Sequence, residues 1–178
     1  MLVTEPARSL VDAWPLLPRP DRRPTAIEVV RTGLTTPTLL GTAFAQRPNV
    51  AGRRELSTTI ALLRDGVRSE LEALGVLTVF DHPDLPRSTG QKRVDVAGRH
   101  FYLDRCWEEA MLAVELDGKD HHTSPADRAR DLERDRLLAT RGWLVLRFTY
   151  ANVVRDPAGV RRTVLAVHRQ RMTRSQSA

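Results

Sequence analysis

The sequence predicts an α/β sandwich: a mixed central sheet of about four to five strands flanked by helices, behind a short helical N-terminal appendage. Three observations predict it. Short alternating apolar runs separated by turn residues fill positions 92–116; a helix signal follows at Ser124-Pro125-Ala126-Asp127; and another strand-like run, Trp143–Thr149, comes before a last helix. Hairpin-linked strands followed by a crossover helix and a further strand give a sheet of mixed direction.

Each element has its own signal. Residues 1–25 hold Pro6, Pro15, Pro18, Pro20 and Pro24, so this stretch is expected to be loop with at most a short turn near Ser9–Trp14. Thr25–Arg31 and Thr36–Ala45 read as short helices, the second with Thr36 as N-cap before Pro37. Arg53–Leu74 reads as one long helix ending at Gly75, because Leu56, Ile60, Leu63, Val67, Leu71 and Leu74 form one apolar stripe. Val76–Phe80 is a short apolar run, and Asp81–Gly90 is a turn-rich loop. Lys92–Val96 and Arg99–Cys106 flank an Ala97-Gly98 hairpin turn, and Met111–Leu116 is a hydrophobic strand ending at Asp117-Gly118. A capping box at Ser124 starts a helix that stops at Gly142. Asp156-Pro157 opens the final helix, with Val160, Val164 and Val167 on one side. The expected organisation is an appendage over 1–52, a main domain over 53–172 and a disordered tail over 173–178.

Composition narrows the function classes. The chain has 178 residues, 41% hydrophobic and 28% charged, with a net charge of +6. No apolar run is long enough for a membrane span, and the proline-broken N-terminus does not read as a secretory signal. The single cysteine, Cys106, excludes an intramolecular disulfide and a multi-cysteine zinc site. A cytoplasmic protein without a membrane partner is expected. Residues 161–178 carry 5 basic and no acidic side chains, whereas residues 101–160 carry 9 basic and 11 acidic ones. A basic tail suits a polyanion or is simply a solvated helix end.

The informative stretch is Arg99–His122. Period-two alternation puts Leu112, Val114 and Leu116 on one face of a strand and Ala113, Glu115 and Asp117 on the other. Asp104 lies near the end of the preceding strand and can reach Glu115 if the two strands pair. Converging carboxylates repel unless a cation neutralises them, and hard oxygen donors with room for water suit Mg2+ or Mn2+ rather than zinc. The alternative is that Asp104 and Asp117 are strand-end turn residues and Glu115 sits on a solvated face. Trp107, Trp143 and Phe148 read as core, and Cys106 as a small buried residue.

The segments Tyr102-Leu103-Asp104, Glu115-Leu116-Asp117-Gly118-Lys119-Asp120-His121-His122, Arg134-Asp135 and Gly142–Phe148, in this order, resemble the restriction-endonuclease-like PD-(D/E)XK superfamily. They look closest to its Vsr-like, DUF559-like bacterial endonuclease-type domains. The resemblance spans about Glu55–Arg171. It implies a restriction-endonuclease-like sandwich and a metal-dependent DNA endonuclease that hydrolyses phosphodiester bonds, with duplex DNA as partner and either a monomer or a homodimer as the acting form. Asp104, Glu115 and the Leu116 carbonyl would hold Mg2+ or Mn2+, supported by Glu70 from the upstream helix. Asp117 stands where the superfamily usually has a lysine that orients water. Three possibilities follow: Lys119 reaches back, His121 or His122 acts as base, or catalysis is impaired. The second fits the Vsr-like branch, and an imidazole titrates in the right range to take a proton from water. Lys119, Arg147, Arg161 and Arg162 are candidate nucleic-acid contacts, with an ion pair to Asp135 or Glu133 as the alternative for Arg147.

The resemblance also makes the N-terminal part a possible remnant of a winged-helix or antitoxin-like module, shortened by truncation or a misplaced start at Met1. A rival class is a catalytically impaired nuclease-fold protein that binds DNA in a regulatory, antitoxin-like role. A plain scaffold domain would explain the apolar stripes but not the carboxylates.

Overall fold

The computed structural model describes residues 5–118 and 124–175. The chain divides into two compact units, Met1–Ala73 and Leu74–Ala178.

The first unit is built of helices: α1 (Pro6–Ala13), α2 (Arg19–Arg31), α3 (Pro37–Ala45), α4 (Arg53–Arg64) and most of α5 (Glu70–Gly75). The proline-rich stretch therefore forms helices where loop was expected. Pro6 and Pro20 lie in first turns, where the missing N–H has no intrahelical partner to lose; only Pro24 sits inside a helix. Thr36 caps α3 as the sequence predicts, accepting from the Leu39 amide at 3.2 Å. The expected helix over 53–74 is broken into α4 and α5. Gly66 takes a left-handed φ of +90°, which ends one helix while the apolar stripe carries on through buried Val67 and Leu71. Helix α4 packs against α2 and α3 and buries Leu56, Ile60 and Leu63, so this unit runs past the expected boundary at residue 52 to Ala73.

In the second unit, Gly75 does not stop a helix. Its backbone stays helical and leads into a single π-helical turn, Val76–Phe80. A Cβ on Gly75 would stand 2.6 Å from Leu116 Cδ1 and 2.9 Å from the Phe80 ring, so glycine is needed there for close packing. The strands are β1 (Thr89–Val96), β2 (Arg99–Trp107), β3 (Leu112–Asp117) and β4 (Leu144–Thr149), in the spatial order β1-β2-β3-β4. The β1–β2 hairpin turns on Ala97 and Gly98, both at positive φ as a tight two-residue turn requires. Strands β1, β2 and β3 are antiparallel neighbours; β3 and β4 are parallel. Their crossover carries α6 (Pro125–Thr140), opened by the predicted Ser124–Asp127 capping box. A second capping box, Thr149–Asn152, starts the unpredicted α7 (Tyr150–Arg155). Helix α8 (Pro157–Ser175) then packs against β3 and continues three residues into the stretch expected as a tail. Val94, Leu103, Cys106, Ala113, Leu138 and Trp143 form a core cluster. This is the mixed sheet flanked by helices that the sequence predicts. Among the described residues no helix is long and apolar enough to cross a membrane.

Candidate active site

The sheet positions the site by where its pairing stops. Strand β2 pairs with β3 at Trp107↔Leu112, Cys106↔Ala113 and Arg105↔Val114. The next residue on each strand is a carboxylate, Asp104 on β2 and Glu115 on β3. Past this point side chains bridge the two strands in place of the ladder. Asp104 Oδ2 accepts the Leu116 N–H at 3.0 Å, while its other oxygen accepts from Gln91 Nε2 at 3.3 Å. Arg134, reaching from α6, donates from one nitrogen to Glu115 Oε1 at 2.7 Å and to the Tyr102 carbonyl on β2 at 2.8 Å.

Burial sets the electrostatics. Glu115 is only 5% exposed. That burial, followed by the charge of Asp104, pushes its carboxyl up to about 7 against the pull of Arg134 and Arg147. Burial likewise pushes Asp104 above the ordinary carboxylate range, against the Leu116 amide and the Arg134 charge. Both groups are therefore strained as anions, and positive charge placed between them relieves that strain. Among the described residues no three His, Cys, Asp or Glu side chains converge as a metal-ligand set. The pair of hard carboxylate oxygens nonetheless fits a hard divalent cation with part of its shell left to water.

Asp117, two residues beyond Glu115, faces Arg147 at 3.4 Å, and Arg147 holds Asp135 of α6 more closely, at 2.9 Å. The ion pair anticipated for Arg147 with Asp135 is thus formed. Arg147 also sits in register beside Glu115 across the parallel β3–β4 pair. Glu70 belongs to the first unit, where Arg23 binds it with two nitrogens, one at 2.8 Å from Oε2. On α8, Arg161 donates to the Thr78 carbonyl at 3.4 Å, and exposed Arg162 lies 3.8 Å from Asp156. Lys119, His121 and His122 lie outside the described residues. Cys106 is fully buried and its thiol is pushed up to about 12, chiefly by that burial, which leaves it a packing residue. Trp107 and Trp143 are core, as expected.

Sequence reasoning noted Arg134 as part of a motif without giving it a role, and it passed over Gln91. The signal for Arg134 was available: it precedes buried Leu138 by one helical turn, which turns it toward the sheet.

Residues 86–167 match the model of the family REase_MTES_1575. The match supports a restriction-endonuclease-like domain over this stretch, in keeping with the mixed sheet and flanking helices. The chain is also 28% identical over 160 residues to two curated sequences, "Uncharacterized protein MT2308" and "Uncharacterized protein Rv2248", from two strains of Mycobacterium tuberculosis. The alignments cover 88% of this chain and 58% of those proteins, so the chain spans little more than half the length of these relatives. No solved structure matches the chain.

Proposed function

We propose that this chain is a metal-dependent DNA endonuclease of the Vsr-like, DUF559-like kind, acting in the cytoplasm with Mg2+ or Mn2+. One observation carries the reading: Asp104 and Glu115 meet where the β2–β3 ladder stops, buried and both disfavoured as anions. Asp104 bridges to the Leu116 amide and so has a structural role, whereas Glu115 binds the Arg134 side chain and no backbone group among the described residues, so strand bridging does not account for the second carboxylate. Asp104 and Glu115 would hold the ion, which when bound supplies Lewis-acid stabilisation of the phosphate and a more acidic water.

The chain's own residues do the rest. Arg134 fixes the rotamer of Glu115 through Oε1. The Leu116 amide fixes Asp104 through Oδ2. His121 or His122 is the candidate acceptor of the water's proton, and Lys119, Arg161 and Arg162 are candidates to hold the phosphate backbone. A second reading, a nuclease-fold protein that binds DNA without cutting it, is favoured by Asp117 standing in the lysine's place and facing Arg147.

The two readings separate on supercoiled plasmid with Mg2+ or Mn2+, comparing the parent with Glu115→Gln. Nicking or linearisation by the parent and none by the variant supports the endonuclease. Binding to the plasmid with no cleavage under either metal overturns it in favour of the second reading.

A further inference from the structure

Among the described residues, three other than glycine take a left-handed backbone: Gln91, Ala97 and Met111, at φ of +47°, +50° and +47°. Ala97 lies in the β1–β2 turn, and Met111 follows the one-turn helix Glu108–Ala110 between β2 and β3, so both serve chain reversals. Gln91 lies inside β1, where an extended backbone is the unstrained choice. The adjoining Gly90 could take such a φ without steric cost and does not. Strain of this kind persists only where the surrounding structure holds it in place.

The strain is aimed at Asp104. Strand β1 pairs with β2 at Gly90↔Arg105 and again at Lys92↔Leu103, so Gln91 stands opposite Asp104, and this pair is missing from the run. The Gln91 side chain reaches across instead, and Nε2 donates to Asp104 Oδ1 at 3.3 Å. The Leu116 N–H holds Oδ2 at 3.0 Å. Asp104 is thus gripped from both neighbouring strands, one oxygen to each. Both donors are neutral. Glu115, by contrast, is held by the guanidinium of Arg134 at 2.7 Å, whose charge opposes a cation beside it. A neutral amide fixes a carboxylate and leaves its full negative charge for an ion. Each carboxylate oxygen also has a second acceptor position, so neither bond uses up the oxygen it holds.

We infer that Gln91 is a positioning residue for the cation: its left-handed backbone turns the side-chain amide onto Asp104 and fixes the rotamer through which that carboxylate would hold the ion. This rests on the metal-dependent reading above and adds to it a residue outside the carboxylate pair.

The test is calorimetric titration of the full chain with Mn2+, beside urea unfolding of the metal-free protein. Gln91→Met keeps the length of the side chain and removes its donor; Gln91→Gly removes the donor and relieves the left-handed backbone. Mn2+ affinity is expected to fall about tenfold in both variants, with the urea midpoint of Gln91→Gly no lower than the parent's. A side chain that merely supports the strand would lower affinity and stability together. The Gln91 side-chain amide, identified in ¹⁵N NMR by its loss in Gln91→Met, should move when Mg2+ is added to the parent and stay still in Asp104→Asn. Parental Mn2+ affinity in both Gln91 variants would overturn the assignment and leave the carboxylate site standing. Weaker binding matched by a lower urea midpoint in both would reduce Gln91 to a structural role and overturn it equally. A parent that binds no Mn2+ would remove the cation site itself, and this assignment with it.

Discussion

Strand β2 behaves differently on its two edges. Toward β1 it is paired almost throughout, from Val96↔Arg99 at the turn to Thr89↔Cys106 at the far end. Toward β3 it is paired only from Arg105↔Val114 to Trp107↔Leu112. The first edge is a closed hairpin directed by a two-residue turn, and backbone hydrogen bonds hold it. The second opens after three pairs, and side chains take over: Asp104 on the Leu116 amide, Arg134 across to Tyr102 and Glu115. A gap between strands leaves polar backbone groups that must find other partners. Here the same side chains that satisfy them form the site. Stability should therefore reside on the closed edge and chemistry on the open one.

The sharpest way to break that contrast is to neutralise the open edge. Glu115→Gln and Asp104→Asn should each lower plasmid cleavage about 10³-fold or more, with circular dichroism unchanged. Near-parental cleavage by either would remove the open edge from the chemistry. The converse change is Leu103→Ala, at a position that is fully buried in the core cluster. It should cost about 2–5 kcal/mol in urea unfolding while leaving Mn2+ affinity of the folded protein as in the parent. A loss of affinity without a loss of stability would invert the account.

Arg134 links the two strands beyond the ladder. Arg134→Ala should reduce cleavage about 10–100-fold, the usual effect of removing a group that orients a ligand. Arg134→Lys should restore only part of this, since an ammonium lacks the guanidinium fork. Full recovery by lysine would make the role one of charge alone.

A smaller effect concerns pH. Glu115 keeps its proton in the folded chain up to about 7, against 4.5 as its ordinary value. Between these values the folded state holds a proton that the unfolded state has released. The stability that this proton contributes to the metal-free protein should therefore be full below pH 4.5 and be lost progressively as pH rises to about 7. Glu115→Gln should flatten the urea midpoint over this window, and an equally steep profile in the variant would assign the proton elsewhere. The smallest change expected is Asp117→Asn. Its partner Arg147 keeps Asp135, and a half-exposed pair contributes at most about 1 kcal/mol, so cleavage should shift by no more than a few-fold.

How much of this could be read in the sequence follows from which forces are local. The Ala97-Gly98 turn, the Ser124–Asp127 capping box and the apolar alternation of Leu112–Asp117 are local signals, and the structure follows them. Asp104 and Glu115 were legible as neighbours because antiparallel strands joined by a short turn can pair in few ways. Proline density over the first 25 residues points to loop, yet Pro6 and Pro20 occupy first turns, where proline fits a helix. The apolar stripe over 53–74 continues past the break at Gly66 and so conceals it. The early end of the β2–β3 ladder and the reach of Arg134 depend on packing between distant segments, and no periodicity encodes them.

The account rests on Asp104 and Glu115 holding a divalent cation, and titration calorimetry with Mn2+ tests this most directly. The parent should show one saturable site, retained in Asp117→Asn and lost in both Asp104→Asn and Glu115→Gln. A parent that binds no Mn2+, or a Glu115→Gln variant that binds it as tightly as the parent, would contradict the account.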